Sequence, residues 1–185
     1  MTEPRRPPIL ITMLTGSRLV LALGVAILTV WSGQMTWAIV ASTLLVAAIE
    51  LSDLADGYLA RRQNAVSQFG KLFDPYSDSL SRLTVYWSLA VVGRCLAFVP
   101  LLMALRDITV SYARILMTRQ GKDVAARWAG KLKAVVQGIC ALLLMAGPLY
   151  WGSAGKPIIW TLSFLVAAAT ANSVLSYVRD ALSPT

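Results

Sequence analysis

Apolar residues fall into six long runs, about Leu14 to Trp31, Trp37 to Ala60, Phe73 to Val92, Leu96 to Met117, Leu132 to Trp151 and Ile158 to Val178. Each is close to the roughly 20 residues a helix needs to cross about 30 Å of hydrocarbon. Between them stand turn-tolerant residues: Ser32-Gly33-Gln34, Gly93, Gln120-Gly121 and the stretch from Gly152 to Pro157. The connectors are short, as for antiparallel neighbours in a bundle. The pattern predicts an all-α fold, a polytopic membrane bundle of six transmembrane helices forming a single domain over residues 1–185.

Composition supports a bilayer as the solvent. The chain is 57% hydrophobic and 14% charged, well below the roughly one-quarter charged share of soluble domains. Its net charge of +8 suits an anionic lipid surface or an anionic substrate. Nucleic acid is disfavoured as a partner, because the basic residues sit between apolar spans. Cys95 and Cys140 lie in or beside apolar runs without CxxC spacing and read as packing residues.

The charges also orient the bundle. Arg5, Arg6, Arg61, Arg62, Lys71, Arg114, Arg119, Lys122, Arg127, Lys131, Lys133 and Arg179 fall on the face that holds both termini, against Arg94 and Lys156 on the other. The positive-inside rule then puts both termini in the cytoplasm, which an even number of spans allows. Trp31, Trp37, Tyr150, Trp151 and Trp160 gather near span ends on the sparsely charged side, as interfacial anchors do. Gly16, Gly130 and Gly138 are candidates for close helix approach.

Four carboxylates break the apolar pattern where the second and third runs meet: Asp53, Asp56, Asp74 and Asp78. Spacings of three and four put each pair on one face of its helix, and a short connection turns the third helix back along the second. Ionisable groups in spans are costly and are functional by default when clustered. The chain contains no His, so the donors are hard oxygens, which suit Mg²⁺ or Mn²⁺ rather than zinc. Four carboxylates can hold two ions roughly 4 Å apart, an arrangement that clamps phosphoryl oxygens. Phosphoryl transfer is the reaction class expected. The plainer alternatives are that Asp74 caps a helix started by Pro75, and that Asp53 or Asp56 pairs with Arg61 or Arg82.

The segment from Asp53 to Asp78 reads DxxDGxxAR, eight residues, then GxxxDxxxD, and it resembles the signature of the CDP-alcohol phosphotransferases. The resemblance implies that Asp53, Asp56 and Asp74 are metal ligands, and that Asp78 is close to the second metal and is the general base for the acceptor hydroxyl. It implies that Gly57, Ala60, Arg61 and Gly70 hold the CDP moiety of CDP-diacylglycerol. It also implies an integral membrane enzyme with a cytoplasmic site, commonly a homodimer.

Leu14 to Leu19, Arg106 to Arg114 and Gly130 to Gln137 resemble stretches of the phosphatidylglycerophosphate synthase branch, with Asp107, Ala134 and Ser79 where that branch carries Glu, Thr and Lys. The implied acceptor is glycerol 3-phosphate, with Arg106, Arg114, Lys131 and Lys133 as a cationic pocket for its phosphate. An intraspan pair of Arg106 with Asp107 is the plainer reading of Arg106. Two other readings compete: the same donor with inositol phosphate or an amino alcohol, and a carboxylate-lined ion transporter. The transporter needs ionisable groups on a path across the bilayer, whereas these clusters lie at one face.

Overall fold

The computed structural model describes residues 9–32, 34–63, 68–119 and 128–182, with side chains over the same stretches except 9–15, 54–63, 68–72, 74, 129 and 180–182. Six α-helices run in order: α1 Ile9–Ser32, α2 Thr36–Gln63, α3 Gln68–Val91, α4 Phe98–Arg119, α5 Trp128–Ala146 and α6 Gly155–Leu182. Among the described residues there is no strand. The all-helical class and the number of helices expected from the hydropathy pattern are both present.

Helix ends follow from local chemistry. After α3 the chain closes through Gly93, whose φ of 73° is left-handed. Its N–H donates to Ala90 O at 3.1 Å, and Arg94 N–H donates to Leu89 O at 2.8 Å. This is the paired closure that satisfies carbonyls left open at a helix C-terminus, and it favours glycine at that position.

The fifth apolar run predicts a helix continuing to Trp151, but α5 stops at Ala146. Pro148 has no N–H to continue the ladder, and single 3₁₀ turns follow at Gly147–Leu149 and Gly152–Ala154. Trp151, expected as an interfacial anchor, is half-buried. Its ring lies against the Cα of Gly147, where any side chain would collide. Trp31, Trp37, Tyr150 and Trp160 are exposed, consistent with anchors. The expected break at Gly152 to Pro157 is shorter than its sequence suggests, because proline in a helix's first turn loses no bond and Pro157 fits into the start of α6.

The chain divides into two compact units between Ser88 and Leu89. In the first, α1 packs along α2, with Thr29 Oγ1 donating to Ser42 Oγ at 3.3 Å across the contact. In the second, α6 packs against both α4 and α5, and Gln137 Nε2 donates to Thr170 Oγ1 at 3.0 Å between α5 and α6.

Polarity is distributed as in a protein dissolved in lipid. Leu23, Leu44, Leu101, Leu105, Ile139 and Leu175 are exposed, while Ser42, Ser77, Ser81, Ser88, Ser163, Thr170 and Gln137 are buried. Hydrocarbon offers outward-facing Leu and Ile nothing to escape from, while hydroxyls and amides must find partners inside. The stretches Thr36–Asp53, Gly130–Leu149 and Gly152–Arg179 are long and apolar enough to cross a membrane. Gly16–Ser32 in α1 is a shorter apolar helix. The expected spans over α3 and α4 are interrupted by charge: Asp78 and Arg82 in one, Arg106, Asp107 and Arg114 in the other.

Candidate functional site

The acidic motif occupies the end of α2 and the first half of α3. Asp53, Asp56, Gly57, Ala60 and Arg61 lie on α2, and Gly70, Asp74 and Asp78 on α3. The side chains of Asp56, Ala60, Arg61 and Asp74, and the surroundings of Gly57 and Gly70, lie outside the described residues. The helix α3 begins at Gln68 and carries Pro75 in its interior. Asp74 is therefore not the N-cap of a helix started by Pro75. An interior proline costs a helix roughly 3 kcal/mol.

Asp53 and Asp78 are brought to one guanidinium. Arg82 donates from Nη2 to Asp53 Oδ2 at 3.2 Å and from Nη1 to Asp78 Oδ2 at 3.3 Å. The same guanidinium meets Glu50 with Nε on Oε1 at 3.2 Å and Nη2 on Oε2 at 3.0 Å. From α1, Arg18 donates Nη1 to Asp53 Oδ1 at 3.1 Å and Nη2 to Ser52 O at 3.4 Å. Arg18 and Arg82 are 2% and 6% exposed, so the two guanidiniums sit out of water, where unpaired charge would be prohibitive, while the Asp53 and Asp78 carboxylates are partly exposed.

Sequence alone does not single out three members of this cluster, Glu50, Arg18 and Arg82, as site residues. Glu50 looks like an isolated charge in an apolar run, and Arg18 stands only within the Leu14 to Leu19 resemblance. The available signal was spacing. Glu50 stands three residues before Asp53, and Arg82 four after Asp78, so each shares a helix face with its aspartate.

The donors fit a hard divalent cation. Each carboxylate offers about four lone-pair sites, and the bonds to Arg18 and Arg82 leave Asp53 and Asp78 with acceptor capacity. Among the described residues, no group of three or more His, Cys, Asp or Glu is arranged to hold a metal. Asp56 and Asp74, the other two expected ligands, have side chains outside the described residues.

In the second unit the cationic residues collect around Tyr177 of α6. Arg106, 8% exposed, donates Nε and Nη2 to Ser173 Oγ at 3.2 and 2.8 Å, and Nη1 to Asp107 Oδ1 at 2.7 Å. Lys133 Nζ from α5 reaches the same Asp107 oxygen at 3.4 Å. Arg114 donates Nη2 to Tyr177 OH at 3.1 Å. The guanidinium carbons of Arg106 and Arg114 stand 5.8 and 5.4 Å from the Tyr177 ring centre, within cation–π range. Gly130 of α5 faces this ring, and a Cβ there would sit at an ordinary contact distance, 3.6 Å from Tyr177 OH.

Three of the four expected phosphate-binding cations thus meet, while Lys131 is exposed. The Arg106–Asp107 pair is present, but it belongs to a wider network that includes Lys133. Ser173 and Tyr177 were missed, since a Ser and a Tyr in an apolar helix give no signal in sequence.

Residues 8–173 match the family model of the CDP-alcohol phosphatidyltransferases. Several similar relatives bear the name CDP-diacylglycerol–glycerol-3-phosphate 3-phosphatidyltransferase. The one from Treponema pallidum is 35% identical over 112 residues, 60% of this chain and 52% of the relative. The Mycoplasma genitalium protein is 38% identical over 87 residues, 47% of this chain and 37% of the relative. The Escherichia coli K12 protein is 30% identical over 154 residues, 80% of this chain and 81% of the relative. The chain thus spans about half or less of the first two relatives and most of the third.

Proposed function

Because the chain belongs to the CDP-alcohol phosphatidyltransferase family, we propose that it transfers a phosphatidyl group from CDP-diacylglycerol to glycerol 3-phosphate. The products are phosphatidylglycerophosphate and CMP. The observation that carries this reading is the match over 80% of the chain to a relative named for that reaction. The two clusters supply the chemistry such a reaction needs.

In the reaction, an acceptor hydroxyl oxygen bonds to the phosphorus that bears diacylglycerol, and the bond from that phosphorus to the oxygen bridging it to CMP breaks. The hydroxyl proton passes to Asp78, and the electron pair leaves with CMP. Asp53, Asp56, Asp74 and Asp78 would hold Mg²⁺ or Mn²⁺, two ions in all. Bound there, the metal neutralises charge on the phosphoryl oxygens and acidifies the hydroxyl. Gly57, Ala60 and Gly70 leave room for the cytidine, and Arg61 pairs with the diphosphate.

The acceptor's phosphate is assigned to Arg106, Arg114 and Lys133, with Lys131 at their margin. Among the described residues, three cations less the Asp107 carboxylate leave a charge of +2, matched to a phosphate monoester near −2. That charge favours glycerol 3-phosphate or inositol phosphate over an amino alcohol. In this reading all six helices span the membrane, with α3 and α4 burying their charges inward. Both termini and the site are cytoplasmic, and the protein is a homodimer.

The test is CMP release by purified protein from CDP-diacylglycerol with Mg²⁺ and each acceptor in turn. Release with glycerol 3-phosphate and none in excess EDTA is expected. Turnover only with inositol phosphate or an amino alcohol would replace the acceptor, and undiminished release in EDTA would overturn the metal-assisted reading.

A further inference from the structure

Among the described carboxylates of the α2–α3 cluster, Glu50 has no part in the reaction just proposed. It is not needed to balance the other described charges of the cluster either. Asp53 and Asp78 carry −2, and Arg18 and Arg82 carry +2, so the four balance; Glu50 takes the sum to −1. A further largely buried carboxylate costs desolvation. What Glu50 adds is direction.

Its two oxygens take Nε and Nη2 of Arg82 side by side, at 3.2 and 3.0 Å. Such a two-point pair fixes the plane of the guanidinium. With that edge held, Nη1 is aimed at Asp78 Oδ2, and Nη2 also reaches Asp53 Oδ2. Each aspartate gives Arg82 only that one oxygen. The fork is rigid, so the distance between its donors bears on the distance between a carboxylate of α2 and one of α3. A lysine would supply the charge on a flexible stem without setting that spacing.

We infer that Glu50 and Arg82 form a positioning pair: Glu50 orients the Arg82 guanidinium, and Arg82 sets the spacing of Asp53 and Asp78. What the aspartates do rests on the phosphatidyl-transfer reading; their arrangement by Arg82 does not.

The experiment uses the full chain purified in detergent, as wild type, Glu50→Gln and Arg82→Lys. For each, Mn²⁺ affinity is titrated without substrate by the loss of the free-ion spin-resonance signal. Turnover, KM for both substrates and the unfolding temperature are then measured. Glu50→Gln keeps the side-chain shape and is expected to weaken Mn²⁺ binding and lower kcat by about 10-fold or more, the usual cost of losing a partner that orients a ligand. KM for the acceptor should stay near wild type.

Arg82→Lys is expected to fall as far despite its retained charge. Wild-type Mn²⁺ affinity and kcat in Arg82→Lys would show that charge alone suffices and overturn the inference, as would wild-type values in Glu50→Gln. A lowered unfolding temperature with unchanged Mn²⁺ affinity and kcat would also overturn it, making the pair merely structural. If Arg82→Lys does not fold, Glu50→Gln decides alone. If the wild type releases no CMP with any acceptor, the reaction reading fails while the Mn²⁺ titration still decides the positioning role.

Discussion

Asp53 and Asp78 share one guanidinium but come from different helices, and their removal should differ in kind. Asp78→Asn keeps size and the contact to Arg82 while removing the proposed proton acceptor, so kcat should fall by at least the ~10²-fold typical of a lost general base. Asp53→Asn should instead weaken the binding of metal and CDP-diacylglycerol. The check is kcat and donor affinity for both variants at saturating Mg²⁺. Near-normal kcat in Asp78→Asn would make that residue a structural partner of Arg82. These aspartates were legible because a carboxylate is costly in an apolar helix, and spacings of three and four put two such costs on one face. Partners were harder to read. Arg82 could be named as a possible partner, but nothing in sequence shows that one guanidinium serves Glu50, Asp53 and Asp78 together. Lys131 and Lys133 show the opposite error. Charge alone groups them, yet residues two apart on a helix do not share a face; Lys133 is 6% exposed and Lys131 lies outward.

At the scale of elements, the connection after α3 depends on one residue. Gly93 adopts φ 73°, which an L side chain enters at a cost of roughly 1–2 kcal/mol. Gly93→Ala should lower stability by about that amount, read as a lower unfolding temperature in detergent, with KM for both substrates unchanged. An unchanged unfolding temperature would mean the turn tolerates a side chain. The union of α4 with α6 carries a different consequence, because it is built from the same groups assigned to the acceptor. Arg106→Lys would lose the two-donor grip on Ser173 and the stacking on Tyr177. KM for glycerol 3-phosphate should rise about 10-fold or more, the size of one lost charged contact, with KM for CDP-diacylglycerol little changed. An equal rise in both would point to a general distortion of the unit. Helix positions were legible from the apolar runs, whereas several helix ends were not. Proline marked the end of α5 but not the start of α6, because its effect depends on whether it falls in the first turn.

For the whole molecule, the decisive question is how many helices cross the bilayer. Length and apolarity qualify three stretches, while the distribution of basic residues was read with six spans. The difference lies in α1, whose apolar stretch Gly16–Ser32 is shorter, and in α3 and α4, whose charges depress their hydropathy but are internally partnered: Arg82 with Glu50, Asp53 and Asp78, and Arg106 with Asp107 and Ser173. Charges satisfied inside the protein do not face hydrocarbon, so on the proposed six-span reading a sliding sum would undercount such helices. Six spans make a specific prediction for two exposed positions. Thr118, at the end of α4, should be cytoplasmic, and Ser153, in the turn before α6, should be on the opposite side. Single variants Thr118→Cys and Ser153→Cys, treated in sealed cells with a thiol reagent that cannot cross the membrane, should label only at position 153. Permeabilising the cells should add position 118. Background should be low, because Cys95 and Cys140 are both buried and burial pushes the Cys95 thiol up to about 11, leaving little reactive thiolate. Labelling of both positions from outside would mean that α5, the one helix between them, does not place them on opposite faces, and the six-span reading would fall with it. Labelling of position 118 alone would invert the bundle and put the basic face outside, against the charge distribution that both termini were assigned from.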